Sequence, residues 1–463
     1  MIRLFDSAQG EVRELVLRDP GQLSMYLCGP TVYEVPHLGH GRHMLVWDVA
    51  RRWFTFRGLV VHFVSNITDI DDKIIARAAL EQMSETAVAQ RGEEQWFAAQ
   101  ERLGVERPSD VPHATHYVEA MVELIEELLK RGVGYVLEDG VYFDVSKVPD
   151  YGLLAGQPLE SLRAGARVEA NDQKRSALDF ALWKFAKFGE PSWMAPFGPG
   201  RPGWHTECVV MSLHLLGEDF DLHCGGLDLQ FPHHENERAQ AEVLGRAFAR
   251  HWAHHGWVMS GSEKMSKSLD NYVSLEDLLT ETDPRAYRLL VLRSHYRAPL
   301  EVTPDIVADA ERTLTRLDGL ARRFQLDSAL DAGMVVATNR EWRGDAARLY
   351  EAVGAFMDED LNSPAALARL FEAVSSANAL ADRGDYDQAR ELAEAINVLA
   401  GAFGLVLRAG HVEIDPASAK LVRARDKARS KKEWARADQL RLELEGRGWT
   451  VEDSAAGTLI RKA

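Results

Sequence analysis

Cysteine is scarce: Cys28, Cys208 and Cys224 are the three in 463 residues. Three thiols in so long a chain build no disulfide framework, and a reducing cytosol fits them. Long apolar runs are missing too. The most apolar stretch, Met44 to Val64, is interrupted by Asp48, Arg51, Arg52 and Arg57, so no membrane span of about 18 or more apolar residues is expected. Met1 to Gly21 is mixed and charged, and no signal peptide is expected there. Positive charge is in deficit. A net charge of −17 argues against a protein that coats nucleic acid without specificity, while a local basic patch still permits a nucleic-acid partner. Repeats and low-complexity tracts are absent. Apolar residues make up 46% of the chain, enough for a sizeable core, and the length calls for about two to four domains.

Gln22 to Leu27 alternates loosely and reads as a strand ending at the breaker Cys28-Gly29-Pro30. A helix is expected from near Gly39 to Gly58, a buried strand over Leu59 to Val64, and another helix from Asp71-Asp72. Strand, loop, helix, strand, helix is the grammar of a parallel α/β sheet. Ligands of such sheets sit at the carboxyl ends of strands, where Cys28, His37 and Thr68 fall. Tyr117 to Arg131 is an amphipathic helix and Tyr135 to Val145 a hairpin, inside an insertion from His113 to about Pro202. Phe220 to His223 reads as a strand ending at Cys224-Gly225-Gly226, His233 to Leu244 as a helix and Trp252 to Met259 as a strand. From Pro304 to Phe403 the pattern is almost wholly helical, with Ser363 as an N-cap and Pro364 at a first helical position. After a break at Arg408 to Pro416, Lys420 to Arg447 carries ten Lys and Arg against five Asp and Glu. A small hairpin through Trp449-Thr450-Val451, Gly457 and Leu459-Ile460 ends the chain.

Two short words carry chemistry. His37-Leu38-Gly39-His40 sets two imidazoles at a helix start; Gly39 admits a ligand to the backbone, and a helix N-terminus favours anions. Lys264-Met265-Ser266-Lys267-Ser268 sets two ammonium groups and two hydroxyls on a Gly/Ser-rich loop between a strand and a helix, Leu275 to Leu279. Each is a phosphate clamp, and neither supplies a nucleophile. That suits phosphoryl or adenylyl transfer, where positioning and charge stabilisation carry catalysis. Taken singly, the words read as a capped helix start and a solvated loop; their occurrence together, in this order, is the specific signal. A third group offers metal ligands. His233 and Glu237 are spaced i, i+4 on one helix face. With Cys28 and Cys208 they give a tetrahedral zinc two sulfurs, a nitrogen and an oxygen. Spacing alone leaves His223, Cys224 and His234 open as ligands, and three buried thiols without metal is the competing reading.

Together these segments resemble the cysteinyl-tRNA synthetase family of class I aminoacyl-tRNA synthetases. The resemblance runs nearly the whole chain: Tyr26 to Tyr33 (YLCGPTVY), the histidine word, Asn66 to Lys73 (NITDIDDK), Gly203 to Cys208 (GWHTEC), Gly225 to Leu229 (GGLDL), Phe231 to Glu237 (FPHHENE), the lysine word, and Asp360 to Pro364 (DLNSP). It implies an α/β fold: a Rossmann-like parallel-sheet nucleotide-binding domain in two halves, 1–112 and 203–303, with a connective insertion at 113–202. A helical-bundle tRNA-binding domain at 304–407 and a small, basic, mixed α/β unit at 408–463 would follow. It implies ATP-dependent ligation of L-cysteine to tRNA(Cys) through a cysteinyl-adenylate, with one zinc ion (Zn2+) per chain selecting the substrate thiolate and Mg2+ accompanying ATP. Zinc ligands carry over to Cys28, Cys208, His233 and Glu237, leaving Cys224 outside. Catalytic roles fall to His37, His40, Lys264 and Lys267. ATP contacts fall to those four with Gly39, Gly226, Asp228, Ser266 and Ser268, and amino-acid contacts to Gly29, Thr31, Asn66, Thr68 and Trp204.

Leu38 and Thr206 stand where the family more often has isoleucine, and Cys224 where it has a small or hydroxyl residue. Trp434 and Trp449 are candidates to stack on anticodon bases. A site that demands one specific bond rejects a substrate lacking it by roughly 10⁴–10⁵-fold, so no separate proofreading domain is expected. The resemblance further implies a cytoplasmic monomer without a membrane partner. A ligase of mycothiol synthesis, passing cysteine to an amino sugar, shares the core but lacks most of the C-terminal unit, which residues 410–463 retain here. A zinc-bearing tRNA-binding protein without catalysis would not need both words intact.

Overall fold

The alternation of Gln22–Leu27 and the apolar run of Val60–Ser65 make the centre of the fold in the computed structural model, which describes residues 1–156, 173–260, 263–264, 274–326, 341–409, 415–454 and 457–462. The two strands pair in parallel, Gln22 opposite Val60 through Leu27 opposite Ser65. Leu222–Gly226 lies on the other side of Gln22–Leu27, with Trp252–His255 beyond it, again parallel. The chain thus runs outward from Gln22–Leu27 to one edge and returns to build the other. The winding reverses between Gln22–Leu27 and Leu222–Gly226, and the crevice beyond the carboxyl ends at such a switch point is where open parallel sheets bind ligands.

Two strands differ from expectation, both at glycines. Leu222–Gly226 runs on through the glycines instead of ending before them. At Gly225 a Cβ would come within 2.6 Å of the His234 ring, so only bare backbone fits between sheet and histidine. The segment expected as one strand from Trp252 to Met259 divides at Gly256. There the N–H donates to the Tyr296 carbonyl at 2.8 Å, and a Cβ would meet the Ala298 carbonyl at 2.5 Å. Beyond the break, Val258–Ser260 joins a small sheet with Leu300–Glu301 and Glu263–Lys264.

The helix Leu38–Phe56 is buried on nearly every side and carries three buried charges. Arg42 donates to the carbonyls of Trp257 (2.6 Å) and Tyr296 (2.9 Å). Asp48 accepts from Arg52 Nε at 2.9 Å, Arg288 Nη1 at 2.6 Å and the Glu106 N–H at 2.9 Å. Burial alone would raise the Asp48 carboxyl, but Arg288 and Arg52 outweigh it and hold it below its ordinary value.

In the segment expected as an insertion, the helix Val118–Lys130 packs beside an antiparallel sheet of Gly134–Val136, Gly140–Phe143, Phe180–Phe185 and Gly200–Pro202, in that order. One apolar cluster continues from Tyr26, Cys28 and Val64 through Met121, Ile125 and Phe143 to Cys208 and Phe220. The inserted segment therefore shares its core with the parallel sheet.

Asp360 gathers a third junction. At φ 57°, a left-handed conformation that aspartate tolerates, it accepts from the Phe5 N–H (2.8 Å), the Tyr296 hydroxyl (2.8 Å) and Arg297 Nε (2.9 Å). Asn362, not Ser363, caps the helix Ser363–Arg383: its Oδ1 accepts from the Ala365 N–H at 3.3 Å.

Met1–Glu311, Val353–Leu367 and Ala402–Leu405 form one compact unit; Arg312–Ala352, Ala368–Gly401 and Val406–Ala463 form another. Past Pro304 the described residues are helical in Pro304–Phe324, Gly344–Asp358, Ser363–Arg383 and Tyr386–Ala402. The last stretch comprises Pro416–Ser430, Trp434–Glu445 and the hairpin Trp449–Ser454 with Gly457–Lys462. Trp449 is a core residue there: it packs with Leu444 and Val451, and its Nε1–H donates to Ser418 Oγ at 2.9 Å. That corrects its expected stacking role, whereas Trp434 is 59% exposed. No helix among the described residues is long and apolar enough to cross a membrane.

Replacing Asp48 with Ala leaves Arg288 buried without its carboxylate partner and Arg52 with only the half-exposed Glu106 at 2.8 Å, and about 3–5 kcal/mol of stability should go. A urea midpoint equal to wild type at neutral pH would contradict this. Because the folded carboxyl sits below its ordinary value, the contribution is complete above the usual carboxylate range and fades as pH falls through the depressed value.

Candidate metal centre and active site

Four donors converge where the sheet's winding reverses. Cys28, Cys208, His233 and Glu237 are all buried, and their ligand atoms lie within 4.8 Å of one another. Cys28 follows Gln22–Leu27, and Cys208 stands early in the helix Trp204–Leu216. His233 and Glu237 flank the start of Glu235–Val243. Helical backbone resumes after the extended Phe231 (φ −140°, ψ 131°), and a wide turn carries His233 and His234 into Glu235–Val243, in line with the expected start at His233. His233 Nε2 lies 3.0 Å from Glu237 Oε1, and Cys28 Sγ lies 3.3 Å from the same oxygen. The other carboxylate oxygen accepts from His223 Nε2 at 2.8 Å.

A second, overlapping group joins Cys28 and Glu237 with His223 and His234, so two of the ligands left open by spacing do reach the centre. Cys224 belongs to neither group among the described residues. Strand alternation explains this: His223 and Cys224 leave opposite faces of Leu222–Gly226.

Burial sets the charge states. It pushes the Cys208 thiol up to about 11 and the Cys28 thiol well up, with Cys208 and Glu237 adding to the rise at Cys28. It holds His233 well down, helped by His205 and His223, so that imidazole is neutral. Two thiols, a neutral imidazole and a carboxylate in a dry pocket are a donor set that fits zinc, and a bound cation reverses the upward push on the thiols.

A chain of hydrogen bonds borders the donors. The Gly29 N–H donates to Asn66 Oδ1 (2.8 Å), Asn66 Nδ2 to Thr68 Oγ1 (3.2 Å), and the Thr68 hydroxyl to Glu207 Oε2 (2.7 Å). Thr31 bridges Thr68 across the strand ends. Cys208 Sγ stands 3.7 Å from Asn66 Oδ1, and Trp204 stacks on the His233 ring at 4.1 Å and 22°. Of the five expected amino-acid contacts, Asn66 and Trp204 touch the metal-competent group, Gly29 follows Cys28, and Thr31 and Thr68 join them through Asn66. Glu207 was not anticipated: a glutamate on a helix ordinarily faces water, but this one is buried and its carboxyl is pushed well up.

The histidine word starts the helix Leu38–Phe56. His37 Nδ1 accepts from the His40 N–H, His40 Nδ1 accepts from the His37 N–H, both at 3.2 Å, and the rings stack 3.7 Å apart. Two imidazoles thereby form a reciprocal cap. With each Nδ1 an acceptor, each neutral ring carries its proton on Nε2, a donor suited to an anion. His37 also bridges Ser274, and Lys264 pairs through its backbone with Met259. Ser266, Lys267 and Ser268 lie outside the described residues. Gly226 ends its strand where a Cβ would come within 2.5 Å of Asp228 Oδ1.

Residues 14–312 match the family described as the tRNA synthetases class I (C) catalytic domain, 352–408 a DALR domain, and 411–461 the cysteinyl-tRNA ligase anticodon binding domain. The chain is 41% identical to a cysteine–tRNA ligase of Chromobacterium violaceum, over 100% of both chains. It is 40% identical to one from Aquifex aeolicus, over 100% of this chain and 99% of the relative. The chain belongs to the cysteine–tRNA ligase family of class I aminoacyl-tRNA synthetases. The family's fold is more widely shared. The methionyl-tRNA synthetase of Mycobacterium tuberculosis, in complex with methionyl-adenylate, is similar with a TM-score of 0.62 at 17% identity, over 90% of this chain and 96% of that one.

In this synthetase Gly29 has no space to spare, since a Cβ would stand 1.7 Å from the Asn66 carbonyl oxygen. Gly29→Ala should push the Asn66 segment away and cost at least about 1–3 kcal/mol through overpacking. An unchanged melting temperature in that variant would show that the contact is not as close as described.

Proposed function

We propose that this chain ligates L-cysteine to tRNA(Cys) at the expense of ATP, through a cysteinyl-adenylate, with zinc held by Cys28, Cys208, His233 and Glu237. The buried convergence of those four residues beside Gly29, Asn66, Thr68 and Trp204 carries the reading. When bound, zinc supplies a soft Lewis acid that takes the substrate sulfur as thiolate, a bond that the hydroxyl of serine makes poorly.

The protein's own groups supply the rest. Gly29, Thr31, Asn66, Thr68 and Trp204 position the amino acid so that its carboxylate faces the α-phosphate of ATP. His37 and His40 donate from Nε2–H to phosphate oxygens as charge builds there, and Gly39 leaves the backbone open to them. Lys264 and Lys267, with Ser266 and Ser268, neutralise the departing pyrophosphate, while Gly226 and Asp228 hold the adenosine. Mg2+ accompanies ATP. The terminal adenosine hydroxyl of the tRNA then takes the cysteinyl group, and AMP leaves as the acyl–phosphate bond breaks.

We assign 1–112 and 203–303 to adenylate formation, 113–202 to the connective insertion, and 304–407 with 408–463 to tRNA. The match of 411–461 to an anticodon-binding domain supports tRNA over an amino sugar as acceptor. The setting is the cytoplasm, and the working form a monomer.

Pyrophosphate exchange into ATP tests the reading. Exchange should require cysteine and fall roughly 10⁴–10⁵-fold with serine. Cys208→Ser should lower cysteine-dependent exchange by at least about a hundredfold and leave ATP binding nearly intact; equal losses in both would contradict the ligand assignment. Affinity for tRNA should fall steeply with salt, and a flat salt dependence would remove the basic C-terminal unit from the phosphate contacts.

A further inference from the structure

His223 and His234 reach the centre but have no part in the reaction described above. His223 stands on Leu222–Gly226, and His234 immediately precedes Glu235–Val243. Both rings are fully buried, and their centroids lie 4.4 Å apart. Each offers a nitrogen within 4.8 Å of the Cys28 sulfur and a Glu237 oxygen, and the two nitrogens are as close to one another. His223 Nε2 is 2.8 Å from Glu237 Oε2. One sulfur, two nitrogens and one oxygen in a dry pocket are a second set that a tetrahedral, zinc-class cation accepts.

Two further observations mark His234 as more than packing. Its Nε2 is buried and has no hydrogen-bond partner among the described residues, and a buried polar atom left bare has lost its bonds to water for nothing. Its Nδ1 is held from behind, 2.8 Å from His254 Nε2, and His254 Nδ1 in turn lies 2.7 Å from Ser7 Oγ. Imidazoles that ligate metals are built this way, with one nitrogen fixed by an outer partner and the other left for the ion. The backbone beside the ring is cleared as well: a Cβ on Gly225 would stand 3.0 Å from the same Nε2.

We propose that Cys28, His223, His234 and Glu237 form a second site for a zinc-class divalent cation, which the ion takes when Cys208 or His233 cannot hold it. The proposal goes beyond the zinc reading above and rests on it. Cys28 and Glu237 belong to both sets, so a single ion serves both and moves between them without leaving the pocket. The move exchanges one sulfur and one imidazole for two imidazoles, and the ion keeps four protein ligands.

The test uses the full-length Cys208→Ala protein loaded with Co(II), and reads cobalt content together with the thiolate-to-cobalt charge-transfer band. The variant should bind one cobalt per chain, with the band at about half the wild-type intensity, because one sulfur remains. Adding His234→Ala should then weaken cobalt binding by at least about tenfold. His234→Ala alone should keep one cobalt and the full band, and a loss there overturns the proposal. So does a Cys208→Ala chain that takes up no cobalt, or one whose cobalt binding is unaffected by the added His234→Ala. Should Cys208→Ala fail to fold, His233→Ala replaces it: a halved band supports the second site, while no uptake or an undiminished band, with both sulfurs still on the ion, overturns it. A wild-type chain that takes up no cobalt overturns the zinc reading as well, a result distinct from the loss of cobalt in Cys208→Ala alone.

Discussion

A carboxylate, two thiols and an imidazole do not sit together in a dry pocket at no cost; each must find a proton, a hydrogen bond or a cation. The four residues Cys28, Cys208, His233 and Glu237 are placed under that constraint by three separate pieces of chain. Much of the surrounding structure answers to it. His223 lends Glu237 a proton donor, Asn66 sits beside Cys208, and Trp204 covers the His233 ring. The glycines at 29 and 225 let neighbouring backbone and rings close in on the centre. The parallel sheet supplies the rigid floor, and its reversal of winding opens the crevice above it.

The helix that follows the histidine word is held as firmly. Arg42 spends its donors on carbonyls of the segment that carries the small sheet, and Asp48 neutralises Arg52 and Arg288 out of contact with water. Asp360 performs a similar task for the backbone at Phe5 and the turn at Tyr296 and Arg297. Buried ions of this kind are demanding rather than generous: a pair is worth little over an apolar substitute, but half a pair is very costly.

Much of this could be read from residue order. Gln22–Leu27 spans the residues its alternation indicated, and Val118–Lys130 differs from the amphipathic pattern by one residue at each end. What was hidden is what depends on distant neighbours. The break at Gly256 reflects the Ala298 and Tyr296 carbonyls, which lie some forty positions away along the chain. Spacing placed His233 and Glu237 together but left His223, His234 and Cys224 open, because ligation is decided by which strand face a side chain leaves. Glu207 escaped notice because nothing local marks a helix position as buried. Trp449 did so because aromatic residues in a basic segment look alike whether they cover a core or await a base. Asn362 took the cap from its neighbour because the chain enters that helix through left-handed residues at 360 and 361.

The paired imidazoles at the head of Leu38–Phe56 tie two properties into one. Both Nδ1 atoms are committed to main-chain amides, so each neutral ring carries its proton on Nε2. A ring turned the other way would strip an amide of its acceptor and fray the first turn. Winding that turn and polarising the rim of the crevice are therefore a single event, and the rim acquires its polarity as soon as the helix exists.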